Sequence, residues 1–203
     1  MRFTRRIDTS LRHSKATEML DRTSVVECLF GRAGMLRLVS DRSPEPLPAE
    51  HDFDPYGGDL DALSAWRNFG TLSLDEAYAK FCQLPDVYQE DFMFMGSRAF
   101  HYYFPVIEEY LRNARAIDEW NESHAKILGS CVAAQFDWKG AFLSTVLCDR
   151  IGILCAFVIE NRQRLAWSIE DQEEIRMSWA TVGEKLKRKA ADPVTTDNPD
   201  DAM

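Results

Sequence analysis

The stretch that decides the fold covers residues 92–111 and reads Phe92-Met-Phe-Met-Gly-Ser-Arg-Ala-Phe-His-Tyr-Tyr-Phe-Pro-Val-Ile-Glu-Glu-Tyr-Leu111. It holds the densest run of aromatic side chains in the protein, and large aromatic rings dominate the energetics of a core. We therefore expect this stretch to lie at the centre, with longer helices packed around it. Ser97 can cap a helix, and Pro105 disfavours helical geometry at the residue before it. The pattern predicts two short helices that meet at an elbow at Phe104-Pro105.

Outside this stretch the apolar residues recur at helical spacing. Residues 116–136 carry one apolar face, and residues 141–161 are apolar nearly all round, which is typical of a central helix. Asp149 and Arg150 interrupt the second segment, and we expect them on an exposed strip rather than paired at a site. The sequence thus predicts a mainly α protein, a single orthogonal or irregular helical bundle around a central apolar helix.

Helix ends are also marked in the sequence. Ser73-Leu-Asp-Glu76 is a capping box, and Leu84-Pro85 ends the helix that it starts. Ser168 opens the last helix, which has carboxylates in its first turn, lysines in its last turn and a buried stripe at Ile175, Trp179, Val182 and Leu186.

The chain divides into four parts by composition. Residues 1–22 form an arginine-rich arm that we expect to be flexible, and residues 191–203 form a tail expected to be disordered. Residues 23–61 combine two apolar runs around a glycine-bearing loop with a Pro/Gly-rich linker. The apolar runs suggest a small β-hairpin, although a helix broken at the glycines would give a similar pattern. Residues 62–190 form the helical domain.

The charge is negative and unevenly spread along the 203 residues. The net charge is −9, with residues 1–42 contributing +4 and the remainder −13. An acidic body repels phosphate groups, so we expect no nucleic acid on the main body and a basic protein as the favoured partner. Solubility alone is the alternative explanation of this charge.

Other sequence features concern location and chemistry. The five cysteines are odd in number and form no Cys-x-x-Cys, which favours reduced thiols in a cytoplasmic protein. The longest uncharged apolar run, residues 151–159, is short of the ~20 residues that a spanning helix needs, so we expect no membrane segment. No apolar region follows Arg5-Arg6, so an export signal is not expected.

No motif for a metal, cofactor or catalytic nucleophile occurs, and we expect none of these.

Two sets of residues are candidates for a site. The first is acidic and aromatic and would contact a protein partner: Asp52, Asp54, Tyr56, Asp59, Asp86, Glu90 and Asp91. The second would place acid–base chemistry near the aromatic elbow: His101, Glu108, Glu109 and His124. For His124 alone, a buried histidine with one hydrogen bond is favoured over a ligand, because no second histidine stands at metal-binding spacing.

The block Arg98-Ala-Phe-His-Tyr-Tyr-Phe-Pro105 carries a resemblance. It is similar to an Ala-Phe-x-Tyr-Tyr-x-Pro block of small helical bacterial proteins of unknown function, and Trp66-Arg-Asn-Phe-Gly70 and Asp91-Phe92 extend the likeness over roughly residues 65–135. These proteins resemble immunity proteins, which neutralise toxins of interbacterial competition. The resemblance implies a protein-binding function and transfers no catalytic residue.

The sequence is therefore compatible with three functions. The first is a non-catalytic protein-binding domain, most concretely an immunity protein that occludes a toxin. The second is an enzyme with a site near the aromatic elbow. The third is a structural or regulatory module that forms a homodimer through leftover apolar surface.

Overall fold

A computed structural model describes residues 45–54, 57–116, 124–138 and 142–191. Every regular element in these ranges is a helix, which confirms the predicted mainly α class. The helices are α1 Glu50–Phe53, α2 Leu60–Phe69, α3 Leu74–Gln83, α4 Pro85–Tyr88, a 3-10 helix Gln89–Met93, α5 Ser97–Asn113, α6 His124–Ala134, α7 Thr145–Glu160, α8 Arg162–Leu165 and α9 Ile169–Ala191. The predicted arm and hairpin, the tail beyond Ala191, and Tyr56 lie outside the described residues. Ala191, the first residue of the predicted tail, is the last residue of α9.

Helix α5 is continuous, so the predicted elbow at Phe104-Pro105 is wrong. Pro105 lies inside the helix, and its missing N–H leaves the carbonyl of His101 without the usual helical hydrogen bond, at a cost of about 3 kcal/mol. The helix persists because its inner face is fully buried. Burying a side chain such as Phe100 or Ile107 contributes about 1.5–3 kcal/mol each, which together outweigh the proline.

The aromatic stretch lies in the core, as the sequence predicts. Phe92, Phe100, Tyr103 and Phe104 are fully buried. Phe69 links the N-terminal helices to this cluster, with its ring centroid 5.3 Å from that of Phe92 and 5.8 Å from that of Tyr103. Edge and tilted ring contacts of this kind stabilise a core beyond the area that they bury.

Helices α6 and α9 approach each other closely at Gly129. A Cβ atom on Gly129 would lie 2.4 Å from Ser178 Oγ and 2.8 Å from Trp179 Nε1. The short distance lets Trp179 Nε1 donate to the carbonyl of Ala125 at 2.8 Å and Ser178 Oγ donate to that of Lys126 at 2.7 Å. The predicted stripe of α9 is buried at Ile175, Trp179 and Val182.

Helix α7 differs from the expected central helix. Leu147, Ile151 and Leu154 face the core, but Val146 is 58% exposed and Ile153 is 62% exposed. The helix is therefore buried on one side, because its outer apolar residues face away from α9 and α5.

Arg150 of α7 is also placed differently from the exposed strip that we expected. It forms an ion pair with Glu108 of α5, and its guanidinium carbon lies 5.3 Å from the centroid of the Phe104 ring. Asp149 is exposed, as predicted. This ion pair connects α7 to α5, so Arg150 lies at the contact between the two helices.

Candidate functional site

Three residues of the predicted acidic set organise the loop ahead of α2. The carboxylate of Asp54 accepts from the backbone N–H of Gly57 at 2.9 Å and of Asp59 at 3.0 Å. Asp59 caps α2 by accepting from Asp61 N at 2.9 Å. Asp52 accepts from Ala49 N at 2.7 Å and from Arg98 Nη1 at 3.1 Å. Asp52 and Asp54 therefore hold local structure, and Asp59 is the exposed member of the three.

Asp91 of the same set is buried and therefore does not belong to a surface rim. Its Oδ2 accepts from Asn68 Nδ2 at 2.8 Å, and Lys80 Nζ donates to the carbonyl of Asn68 at 2.6 Å. Burial raises the pKa of Asp91 to about 6, although the Asn68 hydrogen bond and the charge of Lys80 lower it in part. The sequence placed Asp91 on the surface because it clusters with Asp86 and Glu90 ahead of the aromatic stretch.

Asp86 and His124 meet in the folded protein, although they belonged to different predicted sets. His124 Nε2 lies 2.7 Å from Asp86 Oδ1, and His124 Nδ1 lies 2.6 Å from Tyr110 Oη. In the neutral imidazole, Nε2–H donates to Asp86 and Nδ1 accepts from the Tyr110 hydroxyl. The sequence predicted one hydrogen bond for His124, and the structure shows two. Together they connect α4, α5 and α6 through the imidazole ring.

The remaining members of the second set do not join His124 in this chain of hydrogen bonds. Glu108 pairs with Arg150, and Glu109 accepts from Asn113 Nδ2 at 2.7 Å. His101 is half-buried on α5. The sequence analysis did not include Tyr110. No spacing in the sequence could have indicated that Tyr110 and Asp86 both contact His124, because the three residues are brought together only by the packing of three helices.

A small cleft adjoins the Tyr110–His124 contact. It measures about 30 Å³ and is lined by Tyr110, Leu111, Ala114, Arg115, Ala116, His124, Ala125 and Leu165. One water occupies roughly 10–15 Å³ measured in this way, so the cleft has room for a small chemical group. Within the described ranges, no three His, Cys, Asp or Glu side chains are grouped so as to hold a metal ion.

Negative charge is concentrated in one stretch of the chain. Residues 45–97 contain eleven Asp or Glu residues, and the only Lys or Arg residues in this stretch are Arg67 and Lys80. This stretch alone therefore carries a net charge of −9, equal to that of the whole chain. Its exposed carboxylates belong to Glu45, Glu50, Asp59, Asp61, Asp75, Glu76, Asp86 and Glu90. We call this set the acidic surface.

Apolar side chains interrupt the acidic surface. Leu84 and Val87 flank Asp86 in the chain and are 53% and 61% exposed. The carboxylate of Asp86 contacts His124, which restrains the segment between the two apolar residues.

Among the residues that the structure describes, no helix is both long and apolar enough to cross a membrane. Comparisons with protein-family models, with curated proteins and with solved structures find no significant match for this chain.

Proposed function

We propose that the protein is a non-catalytic binding domain that receives a basic protein on its acidic surface. The observation that carries this proposal is the concentration of the net charge of −9 in residues 45–97. A surface of one sign raises the association rate of a partner of the opposite sign and disfavours like-charged competitors.

The composition around Asp86 supports the same proposal. Protein interfaces commonly combine apolar anchors at the centre with a polar rim. Leu84 and Val87 would supply the anchors, and Asp86 and Glu90 the charges beside them. The bond from Asp86 to His124 fixes this segment in advance, so less conformational entropy is lost on binding.

Among binding functions we propose that of a cytoplasmic immunity protein that occludes a toxin. The resemblance of the Arg98–Pro105 block to such proteins supports this choice. A toxin with a basic active site would be covered and electrostatically neutralised by such a surface.

The test is association with the products of neighbouring genes, measured with purified proteins. The variant Asp61→Asn/Asp75→Asn/Glu90→Gln removes three exposed charges from the acidic surface. It should slow association at least tenfold at low salt and much less at high salt, because screening already weakens the charges there.

A matched control removes the same charge elsewhere. Glu160→Gln/Glu170→Gln/Glu184→Gln changes three exposed residues of α7 and α9 and should leave the association rate within about twofold. Equal losses in both triple variants, or no binding of any neighbouring gene product, would contradict the proposal.

A second function, acid–base catalysis, is favoured only by the Asp86–His124–Tyr110 chain. Turnover of any substrate in a hydrolase panel that disappears in His124→Gln would support it. The third function, a homodimer, is favoured by the exposed Val146 and Ile153 of α7. Light scattering that finds only monomer at high concentration would exclude it.

A further inference from the structure

The outer side of α7 carries a row of side chains that the described part of the chain leaves exposed. Phe142, just ahead of the helix, is 74% exposed, and Val146 and Ile153 are also more than half exposed. The row continues at intervals of four, three, four, three and four residues: Phe142, Val146, Asp149, Ile153, Ala156 and Glu160. We call these six residues the outer stripe. Such spacing is typical of a helix face that packs against another segment.

The outer stripe is acidic as well as apolar. Asp149 and Glu160 form no ion pair with a described residue. Arg150, the basic neighbour of Asp149, is already paired with Glu108. A segment that covers the stripe should therefore bring both apolar side chains and positive charge. A second copy fits less well, because a symmetric contact through this stripe brings acidic side chains from both chains together without a cation.

Residues 25–39, which precede the described part of the chain, have the composition that the outer stripe requires. Their two arginines, Arg32 and Arg37, outnumber their one acid, Glu27, so the segment has a net charge of +1. Large apolar side chains gain free energy by leaving water, and this segment has eight of them. They are Val25, Val26, Leu29, Phe30, Met35, Leu36, Leu38 and Val39.

The described chain begins close to one end of the outer stripe. Burial and then the negative charge of Glu45 raise the pKa of Tyr102, so Glu45 lies near the Tyr102 hydroxyl. Ser97, five residues earlier in α5 and about 7.5 Å away along its axis, accepts from the backbone N–H of Phe142 at 3.1 Å. The six residues from Val39 to Glu45 can span up to about 20 Å, which is enough to reach Phe142.

We propose that residues 25–39 of the same chain pack on the outer stripe. Their apolar side chains would cover Phe142, Val146 and Ile153, and their arginines would lie beside the exposed carboxylates of the stripe. This intramolecular contact goes beyond the binding function proposed above. It leaves the acidic surface free for a partner, because none of the carboxylates of that surface lies on α7.

Photo-crosslinking of the full-length chain tests the contact directly. Val146→p-benzoylphenylalanine places a photoreactive group in the outer stripe. After irradiation, trypsin should release this group joined to one of the peptides 23–32, 33–37 or 38–42, and the product should keep the mass of a single chain. Met177→p-benzoylphenylalanine, on the exposed side of α9, is the control and should not react with these peptides.

Two outcomes of the crosslinking experiment would overturn the proposal. A product of twice the chain mass would assign the outer stripe to a second copy and support the homodimer. A single-chain product with no link to residues 23–42 would show that another segment, or only solvent, covers the stripe.

Thermal unfolding of alanine variants tests the same contact through stability. Ile153→Ala should lower the melting temperature by at least about 2–4 °C, because it removes a covered side chain. Ile169→Ala, which changes an 85% exposed isoleucine of α9, should leave it within about 1 °C. In a chain that carries Leu29→Ala/Phe30→Ala, the effect of Ile153→Ala should fall by at least about half, because residues in contact are not additive.

An equal effect of Ile153→Ala in both backgrounds would contradict the proposal. The acidic-surface proposal would stand in that case, because its test changes residues of α2, α3 and the 3-10 helix.

Discussion

Two adjacent tyrosines on α5 have opposite surroundings. Tyr103 is fully buried, and its hydroxyl lies 2.5 Å from the carbonyl of Phe69 and 2.9 Å from that of Leu72. Burial is also the main reason that its pKa is raised above the usual value. Tyr102 is half-buried. The hydroxyl of Tyr103 therefore has polar partners inside the core.

Tyr103→Phe should destabilise the protein by roughly 1–3 kcal/mol, because the buried carbonyl of Phe69 and the partly buried carbonyl of Leu72 lose the donor that they share. Tyr102→Phe, the matched control on the next residue, should change stability by less than about 0.5 kcal/mol. Urea unfolding followed by circular dichroism gives both values. Equal losses in the two variants would show that the hydroxyl of Tyr103 does not stabilise the fold.

Asp91 makes stability depend on pH in the direction opposite to most carboxylates. Its pKa is about 6 in the folded protein and near 3.8 in the unfolded chain, so between these values the folded state holds a proton that the unfolded state has lost. Stability therefore falls as the pH rises through this window, and the loss is complete above about pH 6.

Asp91→Asn removes the buried charge and keeps an oxygen that can accept from Asn68. At about pH 8 it should stabilise the protein by roughly 1 kcal/mol, a value reduced from the full shift because solvent partly screens the charge. Below about pH 4 both side chains are neutral in the folded state, and the difference should vanish. Unfolding curves across this pH range would contradict the assignment if the difference were constant.

At the scale of elements, Gln135 joins the 3-10 helix to α6. Its Nε2 lies 2.9 Å from the carbonyl of Phe92, 3.1 Å from that of Met93 and 3.0 Å from that of Met95. One buried amide thus serves three carbonyls of an irregular segment that lacks its own ladder of hydrogen bonds.

Gln135→Leu should cost roughly 2–3 kcal/mol of stability through these unsatisfied carbonyls. Gln135→Glu should cost more at neutral pH, because it places a carboxylate against three oxygens that carry partial negative charge. Thermal unfolding of the two variants at about pH 7 compares them. A glutamate variant as stable as the leucine variant would show that the site admits water.

The contact between α6 and α9 depends on the absence of a side chain at Gly129. Gly129→Ala should destabilise by more than about 2 kcal/mol, because its Cβ would overlap Ser178 and Trp179. Gly183→Ala is the control within α9: its Cβ would meet only Cys155 Sγ at 3.8 Å, and helix propensity predicts a gain of up to about 1 kcal/mol. Calorimetry of both variants measures the contrast, and a stable Gly129→Ala protein would contradict the close approach.

Local sequence signals predicted local structure well. Ser73 Oγ and Glu76 cap α3 reciprocally, as the motif indicated. The predicted elbow at Pro105 was wrong because the local penalty of one proline is smaller than the gain from burying the inner face of α5 against residues that lie far away in the chain. For the same reason the contact between Asp86 and His124 could not be predicted, since neither residue specifies its partner by spacing.

At the scale of the whole molecule, the carboxylates of the acidic surface repel one another. Eleven carboxyl groups and two basic residues share residues 45–97, so these helices repel one another when counterions are scarce. The net charge could be read from the sequence composition, but only the fold shows which of these carboxylates are exposed.

Raising NaCl from low to moderate concentration should therefore raise the melting temperature by roughly 2–4 °C, which corresponds to about 1 kcal/mol in a protein of this size. In Asp61→Asn/Asp75→Asn/Glu90→Gln the same addition should have a smaller effect, because part of the repulsion has already been removed. Scanning calorimetry at several salt concentrations measures this, and an equal salt response in both proteins would contradict it.

The position of Trp179 against Gly129 has a consequence for synthesis of the chain. Helices α5 and α6 emerge from the ribosome first, and the indole that covers Gly129 follows about fifty residues later. Until then the nascent polypeptide exposes the face of α6 on which Trp179 packs, and chaperones can bind it. A chain truncated before Ile175 would keep that face exposed.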